Sequence, residues 1–370
     1  MAVNDRAVIS FWTVGAAFVI LYAPIDSAVI ECQLAAREDE DLRILVTGAA
    51  GFIGRMVVGA LAARDTIVVN GQERRISAIL AADMAEGPLA DLARTHRRVH
   101  ALPGALSSPD TLARITEDAP DLIIHLAAVV SGQAEADFDL GMAVNLHSTI
   151  DLINACRAMA RPPVFIFSSS VAVFSCAAND TISEETLPAP RSSYGTQKLI
   201  GELLVRDATR KGFILGRSLR FPTISVRPGA PNKAASSFAS GIIREPLAGQ
   251  EALLPVGRDL RLHLASPSKA LEYALAACGL EQRALGGDTT ITLPGITVSV
   301  GEMLDTLRRI AGEAVAERVK PAPDAAIAAI VNSWPGEIIT PRARALGFTP
   351  DPEFANLVQD HMNHMGLSRT

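Results

Sequence analysis

The chain has 370 residues and a formal net charge of −6, with 49% hydrophobic and only 5% aromatic residues. Its length allows two units or one large α/β domain with insertions, and its many small aliphatic residues suit buried parallel strands under alanine-rich helices. The acidic balance argues against nucleic acid or an anionic membrane surface as the main partner, and scattered cysteines without a CxxC pair indicate reduced thiols, a cytoplasmic protein and no zinc site.

The N-terminal residues are apolar before the first predicted strand. Residues 7–23 carry no charge, and an acidic segment follows at residues 37–41. This apolar length lies at the bottom of the spanning range of roughly 17–25 residues, and the residues before it lack the positive charge of a signal sequence. Three interpretations stay open: a dispensable or mis-started extension, a membrane anchor and an export signal. We favour the first, because the predicted sheet begins at Leu42 and needs nothing upstream.

A glycine-rich turn follows the first predicted strand. After the apolar residues 44–46 and Thr47 come Gly48, Gly51 and Gly54, and apolar residues then recur with helical spacing. The N–H groups and the positive dipole end of such a helix bind anions such as a pyrophosphate. Gly48 permits the turn, Gly51 allows close approach to phosphates, and Gly54 allows helix and strand to pack. A glycine turn without a ligand is the alternative, which the flanking strand and helix disfavour.

The next strand ends in an acidic residue. Residues 66–71 are predicted as a loop and residues 75–83 as the second strand, which closes on Asp83. A carboxylate there accepts both ribose hydroxyls and repels a 2′-phosphate, which favours NAD over NADP. A helix cap is the alternative role for Asp83. Arg55, just inside the preceding helix, would instead favour a phosphate.

Two more strands are predicted at residues 99–102 and 121–128. The second ends in small side chains at Ala127 and Ala128, so that its backbone can approach a cofactor. His125 lies in an apolar run and is predicted to be a core residue rather than a catalyst. Asn145 opens a helical pattern and is either an N-cap or an active-site contact.

The fifth strand, residues 164–167, leads into three serines at positions 168–170, and a helix with Tyr194 and Lys198 follows. Residues four apart share one helix face. A free tyrosine has a pKa near 10, and a neighbouring ammonium group favours the phenolate, which gives a general base near neutrality. A serine at the strand end can hold the substrate oxygen. Tyr-x-x-x-Lys alone is usually a surface pair, but the glycine turn and the serine-rich strand make this combination specific.

The stretches TGAAGFIG, HLAA, FSSS and SYGTQK together resemble the extended short-chain dehydrogenase/reductase family, which includes nucleotide-sugar epimerases, dehydratases and dehydrogenases. The resemblance implies that Ser170, Tyr194 and Lys198 are catalytic, with Ser170 the best match among the three serines. It also implies an NAD site lined by Gly48, Ala50, Gly51, Phe52, Ile53, Gly54, Asp83, Leu106, Ala127, Ala128, Tyr194, Lys198 and Pro222.

A closer likeness covers residues 125–141, 219–249 and 293–304. These stretches resemble the branch of the family that oxidises the C2 hydroxyl of D-erythronate, a four-carbon sugar acid, to the 2-oxo acid with NAD. Two positions depart from the wider pattern. Ala105 stands where many relatives have an acid that binds adenine, and His147-Ser148 replaces a small glycine. Both departures concern cofactor affinity rather than the chemistry.

The second half of the chain is expected to bind the substrate. Residues 220–229 are predicted as the sixth strand, and a Pro-, Ala- and Ser-rich segment follows to residue 261. A hydroxy acid needs a charge partner, and arginine can bind a carboxylate bidentately, so Arg244 is the predicted ligand, with a structural role as the alternative. Ser131 is expected to contact substrate hydroxyls, as is Gln133. Ser170 and Tyr194 complete the substrate site.

The predicted architecture is a Rossmann-type doubly wound parallel sheet with a smaller C-terminal substrate lobe. Residues 1–41 are the extension, residues 42–229 form the NAD-binding domain, completed by residues 262–280, and residues 230–261 and 281–370 form the lobe. The binding crevice lies outside the carboxyl ends of the strands. The apolar stripes of residues 148–159 and 197–210 suit a homodimer contact, which the resemblance also implies, or packing on their own sheet.

The predicted activity is NAD-dependent oxidation of a small sugar acid, in which Tyr194 removes the C2 hydroxyl proton, Ser170 orients that oxygen and Lys198 keeps the tyrosine acidic. The first alternative is a nucleotide-sugar epimerase or dehydratase with tightly held NAD, which the short, small-residue-rich second half disfavours. The second is a non-catalytic NAD-sensing protein, which would have no use for the three catalytic residues. No metal site is predicted. A membrane partner is expected only if residues 7–23 are an anchor.

Overall fold

The apolar runs of the N-terminal half form the central strands of an eight-stranded sheet. The computed structural model describes residues 41–229 and 234–367, so the interpretations of residues 7–23 lie outside the described residues. The strands are β1 (Leu42–Thr47), β2 (Thr66–Val69), β3 (Gln72–Asp83), β4 (Val99–Pro103), β5 (Leu122–His125), β6 (Val164–Ser170), β7 (Thr181–Ser183), β8 (Leu215–Phe221), β9 (Thr223–Ile224), β10 (Ala252–Leu254), β11 (Arg261–Ala265), β12 (Thr290–Thr292), β13 (Ile296–Ser299), β14 (Val319–Pro321) and β15 (Glu337–Ile339).

The order in the main sheet is β12-β8-β6-β5-β1-β3, and β2 and β4 both pair with β3. All pairs are parallel except the β2–β3 hairpin. Every residue of β5 is buried, which is why the strand reads as a continuous apolar run. This is the doubly wound parallel arrangement that the sequence predicts.

The helices are α1 (Phe52–Ala62), α2 (Glu86–Thr95), α3 (Pro109–Asp118), α4 (Ser131–Ala136), α5 (Phe138–Gly141), α6 (Ser148–Arg157), α7 (Ser193–Arg210), α8 (Ser237–Leu247), α9 (Pro267–Gly279), α10 (Val300–Ala311), α11 (Glu313–Ala316), α12 (Ala325–Val331), α13 (Pro341–Ala345) and α14 (Phe354–His364). The apolar stripes of α6 and α7 pack on the main sheet, where Leu152 and Val205 share a core cluster with Phe165 and Phe167. Across residues 41–229 and 234–367, none of the helices combines the length and apolarity that a membrane crossing requires.

Two strand predictions need correction. Residues 66–71 are not a loop, because Thr66–Val69 pairs antiparallel with Gln72–Arg75. Asn70 and Gly71 form the two-residue turn between them, both with positive φ (49° and 81°), as tight hairpins prefer. The sixth strand begins at Leu215 and ends at Phe221, rather than spanning residues 220–229. The fully buried Arg217 interrupts the apolar pattern of this strand. Its Nη atoms donate to Leu215 O, Asn70 Oδ1 and Leu280 O.

The C-terminal half builds a second core, which extends from Val226 to Met362. Its small sheets are β13-β11-β9, β10-β14 and β15-β7. Two predicted boundaries differ from this arrangement. The predicted boundaries place β12 in the substrate lobe, but β12 pairs with β8 in the main sheet. They place β11 in the NAD-binding domain, but β11 pairs with β9 and β13. Helix α9 does pack on the main domain, against α1 and β2.

Candidate active site

Two glycines of the glycine-rich turn, Gly48 and Gly54, stand where a side chain has no room. Gly48 has a φ of +67°, and a Cβ there would lie 2.7 Å from the backbone nitrogen of Ala127. A Cβ on Gly54 would lie 2.1 Å from the carbonyl oxygen of Gly48. Helix α1 starts directly afterwards, and its first turn, all of it described, carries no acidic side chain. The turn therefore presents backbone N–H groups at the positive end of a helix, as an anion-binding cradle requires.

Asp83 links the second parallel strand to this cradle. One carboxylate oxygen accepts a hydrogen bond from Ala50 N at 3.1 Å, and the other accepts from Ala85 N at 3.1 Å. Asp83 is not a helix cap, because Ala85 occupies that position at the start of α2. The acid is thus held beside the turn, where the sequence places an NAD ribose contact.

A cavity of about 350 Å³ lies at the carboxyl ends of β1, β5 and β6. Most of the predicted site residues line it, namely Gly48, Gly51, Phe52, Ile53 and Gly54 from the cradle, and Ala128, Ser131, Ser170, Tyr194, Lys198 and Pro222 from the later segments. Four predicted cofactor residues lie outside this lining. Ala50 and Asp83 bond each other, Leu106 belongs to the core, and Ala127 N donates to Thr47 Oγ1 behind Gly48.

Ser170, Tyr194 and Lys198 meet in this cavity. Ser170 ends β6, and its hydroxyl accepts from Ala172 N at 3.1 Å and hydrogen-bonds to the Tyr194 phenol. Tyr194 lies in the first turn of α7, whose N-cap Ser192 accepts from Gly195 N. Lys198 Nζ lies 5.6 Å from the centroid of the Tyr194 ring and 5.0 Å from that of Phe167.

The neighbouring serine is engaged elsewhere. Ser169 Oγ donates to Glu202 Oε1 at 2.5 Å, whereas Ser170 is the serine that hydrogen-bonds to the Tyr194 phenol. This arrangement supports the choice of Ser170.

Burial has the largest effect on the pKa values of Tyr194 and Lys198. It raises the pKa of Tyr194 to about 12, although the Ser170 hydrogen bond and the charge of Arg227 act in the lowering direction. Burial also lowers the pKa of Lys198 to about 7, against the raising effect of Glu202. The sequence predicts that a neighbouring ammonium group favours the phenolate, but burial of the phenol outweighs the nearby groups that lower the Tyr194 pKa.

Two further polar residues, Asn145 and His125, form hydrogen bonds with the segments that surround the site. Asn145 lies inside a π-helical stretch, Met142–His147, so it is not an N-cap. Its side chain accepts from Val129 N at 2.8 Å and donates to Gln197 Oε1 at 2.8 Å, which ties the loop after β5 to α7. His125 is a core residue as predicted, bonded to Thr47 and Thr149, and burial lowers its pKa to about 3.

Arg244 does not reach the cavity. Its guanidinium group is buried, donates to Arg227 O at 2.8 Å and pairs with Glu245 at 2.5 Å. Among the described residues, the arginine that lines the cavity is Arg227, which lies within the predicted sixth strand. The residue pattern carries no signal for this choice, because it does not show which arginine side chain turns inward. Gln133 also lies outside the lining, whereas Ser131 lines it and accepts from Ala235 N.

Residues 44–264 match the model of the NAD dependent epimerase/dehydratase family. The chain belongs to this family. It is 43% identical over 328 residues to the D-erythronate dehydrogenase of Cupriavidus necator, covering 89% of this chain and 100% of the relative. It is 39% identical to the D-erythronate dehydrogenase of Haemophilus influenzae, covering 87% of this chain and 99% of the relative.

A crystal structure described as a nucleoside-diphosphate-sugar epimerase from Agrobacterium tumefaciens superposes with a TM-score of 0.81 at 36% identity, covering 90% of this chain and 98% of that one. Family and relatives make the protein an NAD-dependent oxidoreductase. The glycine cradle, which has no space for side chains, and the adjacent Asp83 fit that cofactor.

Proposed function

We propose that the protein oxidises the C2 hydroxyl of a small sugar acid, D-erythronate, to the 2-oxo acid with NAD. The observation that carries the proposal is the meeting of Ser170, Tyr194 and Lys198 in one cavity beside the glycine cradle. The two relatives named D-erythronate dehydrogenase support the choice of substrate, because they match nearly their whole length.

In this mechanism Tyr194 acts as the phenolate, whose Oη takes the proton of the C2 hydroxyl, and Ser170 Oγ hydrogen-bonds to the same substrate oxygen and holds it in line. The phenol is already oriented by its hydrogen bond to Ser170. Lys198, buried beside the Tyr194 ring, supplies positive charge when protonated and a donor for a cofactor ribose. The glycine cradle and Lys198 would hold NAD, which would supply the hydride acceptor for C2.

The alternative is an epimerase that returns the hydride to a nucleotide-linked sugar. The similarity to the A. tumefaciens structure favours this alternative. The cavity disfavours it, because the described lining residues supply only Lys198 and Arg227 as cationic side chains, and Lys198 belongs to the catalytic group. A nucleotide diphosphate would require more positive charge at this place.

The test is NADH formation at 340 nm by the full-length protein with D- and L-erythronate, D- and L-threonate and UDP-glucose. Activity confined to D-erythronate supports the proposal. Conversion of UDP-glucose without free NADH, together with no response to the acids, supports the epimerase instead. The Tyr194→Phe variant serves as the control for background reduction of NAD.

We further propose a cytoplasmic homodimer in which α7 contributes to the contact. Leu203 is 55% exposed on a helix whose other face is buried against the sheet. The half-buried or buried thiols of Cys156, Cys176 and Cys278 are free, as suits a reducing compartment. Light scattering after size-exclusion chromatography should give twice the monomer mass, and Leu203→Asp should give the monomer. Cell fractionation tests the compartment.

A further inference from the structure

Arg227 lines the cavity, and among the described residues one donor of its guanidinium group is unmatched. Its Nη2 atom is buried and has no hydrogen-bond partner among the described residues. Glu245, on the adjacent helix, pairs with Arg244 through Oε1, has no hydrogen-bond partner among the described residues at its buried Oε2, and lines a different cavity. Because a buried guanidinium donor is costly to leave unmatched, its position at a cavity wall points to an anionic ligand.

The backbone around Arg227 is held from both sides by α8. Arg227 N donates to Ser240 Oγ at 3.0 Å, and Arg227 O accepts from Arg244 Nη1 at 2.8 Å. Two residues earlier, Ser225 Oγ donates to Ala239 O at 2.9 Å. The side chain therefore projects from a fixed segment, and Arg244 supports this segment instead of binding substrate.

The guanidinium group also lies within electrostatic reach of the general base. Burial lowers the pKa of Arg227, the charge of Arg244 lowers it further, and Tyr194 acts in the raising direction. The charge of Arg227 in turn opposes the burial that raises the pKa of Tyr194. In a 2-hydroxy acid the carbon that loses hydride is bonded directly to the carboxylate carbon. A cation that binds this carboxylate must therefore lie close to the residue that takes the hydroxyl proton.

We propose that Arg227 binds the carboxylate of the substrate and selects 2-hydroxy acids over neutral polyols, an inference that rests on the proposed function. The planar guanidinium group can donate two parallel hydrogen bonds to a carboxylate, which fixes the orientation of C2 as well as the charge. Lys198 is the other cationic residue among the described lining residues. Its ammonium group lies over the Tyr194 and Phe167 rings and is stabilised by the charge of Glu202, so Arg227 is the better candidate for the carboxylate.

The experiment compares Arg227→Gln and Arg227→Lys with Arg114→Gln, which removes the same charge from an exposed position on α3. Calorimetry gives the Kd of D-erythronate for the NADH-saturated full-length protein, and kinetics give kcat and KM. We expect Arg227→Gln to weaken acid binding about 100-fold, the order seen when one partner of a desolvated charge pair is removed. Arg227→Lys should recover part of this loss, and Arg114→Gln should match the wild type.

Two readouts separate this role from a structural one. The NADH affinity of Arg227→Gln should stay at the wild-type value, and its rate profile should shift to higher pH because the lowering effect on the Tyr194 pKa is lost. Wild-type acid binding and KM in Arg227→Gln would overturn the inference alone. A wild-type protein that neither binds nor oxidises any of the acids would overturn the proposed function as well.

Discussion

Glu202 and Arg220 form a bidentate ion pair beneath the catalytic helix, with Arg220 Nε 2.9 Å from Oε1 and Nη2 2.7 Å from Oε2 of the carboxylate. Both side chains are buried, and Ser169 adds a third hydrogen bond to the same carboxylate. The pair joins α7, one turn after Lys198, to β8 in the sheet. It thereby ties the helix that carries Tyr194 and Lys198 to the main sheet.

Glu202→Gln should destabilise the protein by about 3–5 kcal/mol, because removing one charge of a buried pair leaves Arg220 uncompensated. The free energy of unfolding in urea measures the loss. Asp207→Asn on the same helix is the matched control: its pair with Arg210 is exposed and should be worth no more than about 0.5 kcal/mol. Equal losses of unfolding free energy in the two variants would contradict the prediction that the buried pair stabilises the protein more than the exposed pair.

Gly54→Ala should abolish NAD binding and cost about 1–3 kcal/mol of stability, because its Cβ would overlap the Gly48 carbonyl oxygen. Fluorescence titration with NADH and thermal unfolding measure the two effects. Gly59→Ala, in the same helix with open space around it, should instead stabilise by about 0.5–1 kcal/mol. Normal NADH affinity in Gly54→Ala would rule out the close packing of cradle and helix.

Tyr194→Phe should lower kcat by about 10²–10⁴-fold, the usual contribution of a general base, and leave the NADH Kd nearly unchanged. The hydroxyl is lost but the ring that lies beside Lys198 remains. Steady-state kinetics with D-erythronate give the result. Retained turnover would remove Tyr194 from the role of base.

Asp83→Asn should raise the KM for NAD by about 10-fold and improve the relative use of NADP, because the negative charge that repels a 2′-phosphate is gone. The amide oxygen can still accept from Ala50 N, so that the turn keeps its position. The ratio of kcat/KM for the two cofactors measures this change. An unaltered ratio would show that Asp83 only holds the turn.

Stability should fall on acidification below about pH 6.5. Burial lowers the pKa of His125 to about 3 and those of His263 and His361 to about 4, whereas the unfolded chain takes up these protons near pH 6.5. The stabilisation is complete above the unfolded pKa and is lost as pH falls toward the folded values, by about 1.4 kcal/mol per pH unit for each histidine. Urea unfolding at pH 7, 6 and 5 measures the slope.

The variant His361→Leu should reduce the slope of the unfolding free energy against pH by the contribution of one proton, because leucine does not titrate. His100→Gln, at an exposed position, should leave the slope unchanged. A slope that His361→Leu does not alter would assign the acid loss to other groups.

The sequence by itself determined the doubly wound sheet, the glycine cradle and the positions of Ser170, Tyr194 and Lys198. These features are local, since apolar runs, glycine spacing and the four-residue repeat of a helix act between neighbours in the chain. Tertiary structure alone decided which distant groups meet. In the folded chain Arg227 lines the cavity, whereas Arg244 bonds to the backbone of Arg227. Arg217 is buried in a strand, where it donates to the distant Leu280 O, and β12 pairs with the main sheet. Tertiary structure also raised the Tyr194 pKa above its free value, because desolvation depends on everything packed around a group and not on its neighbours in sequence.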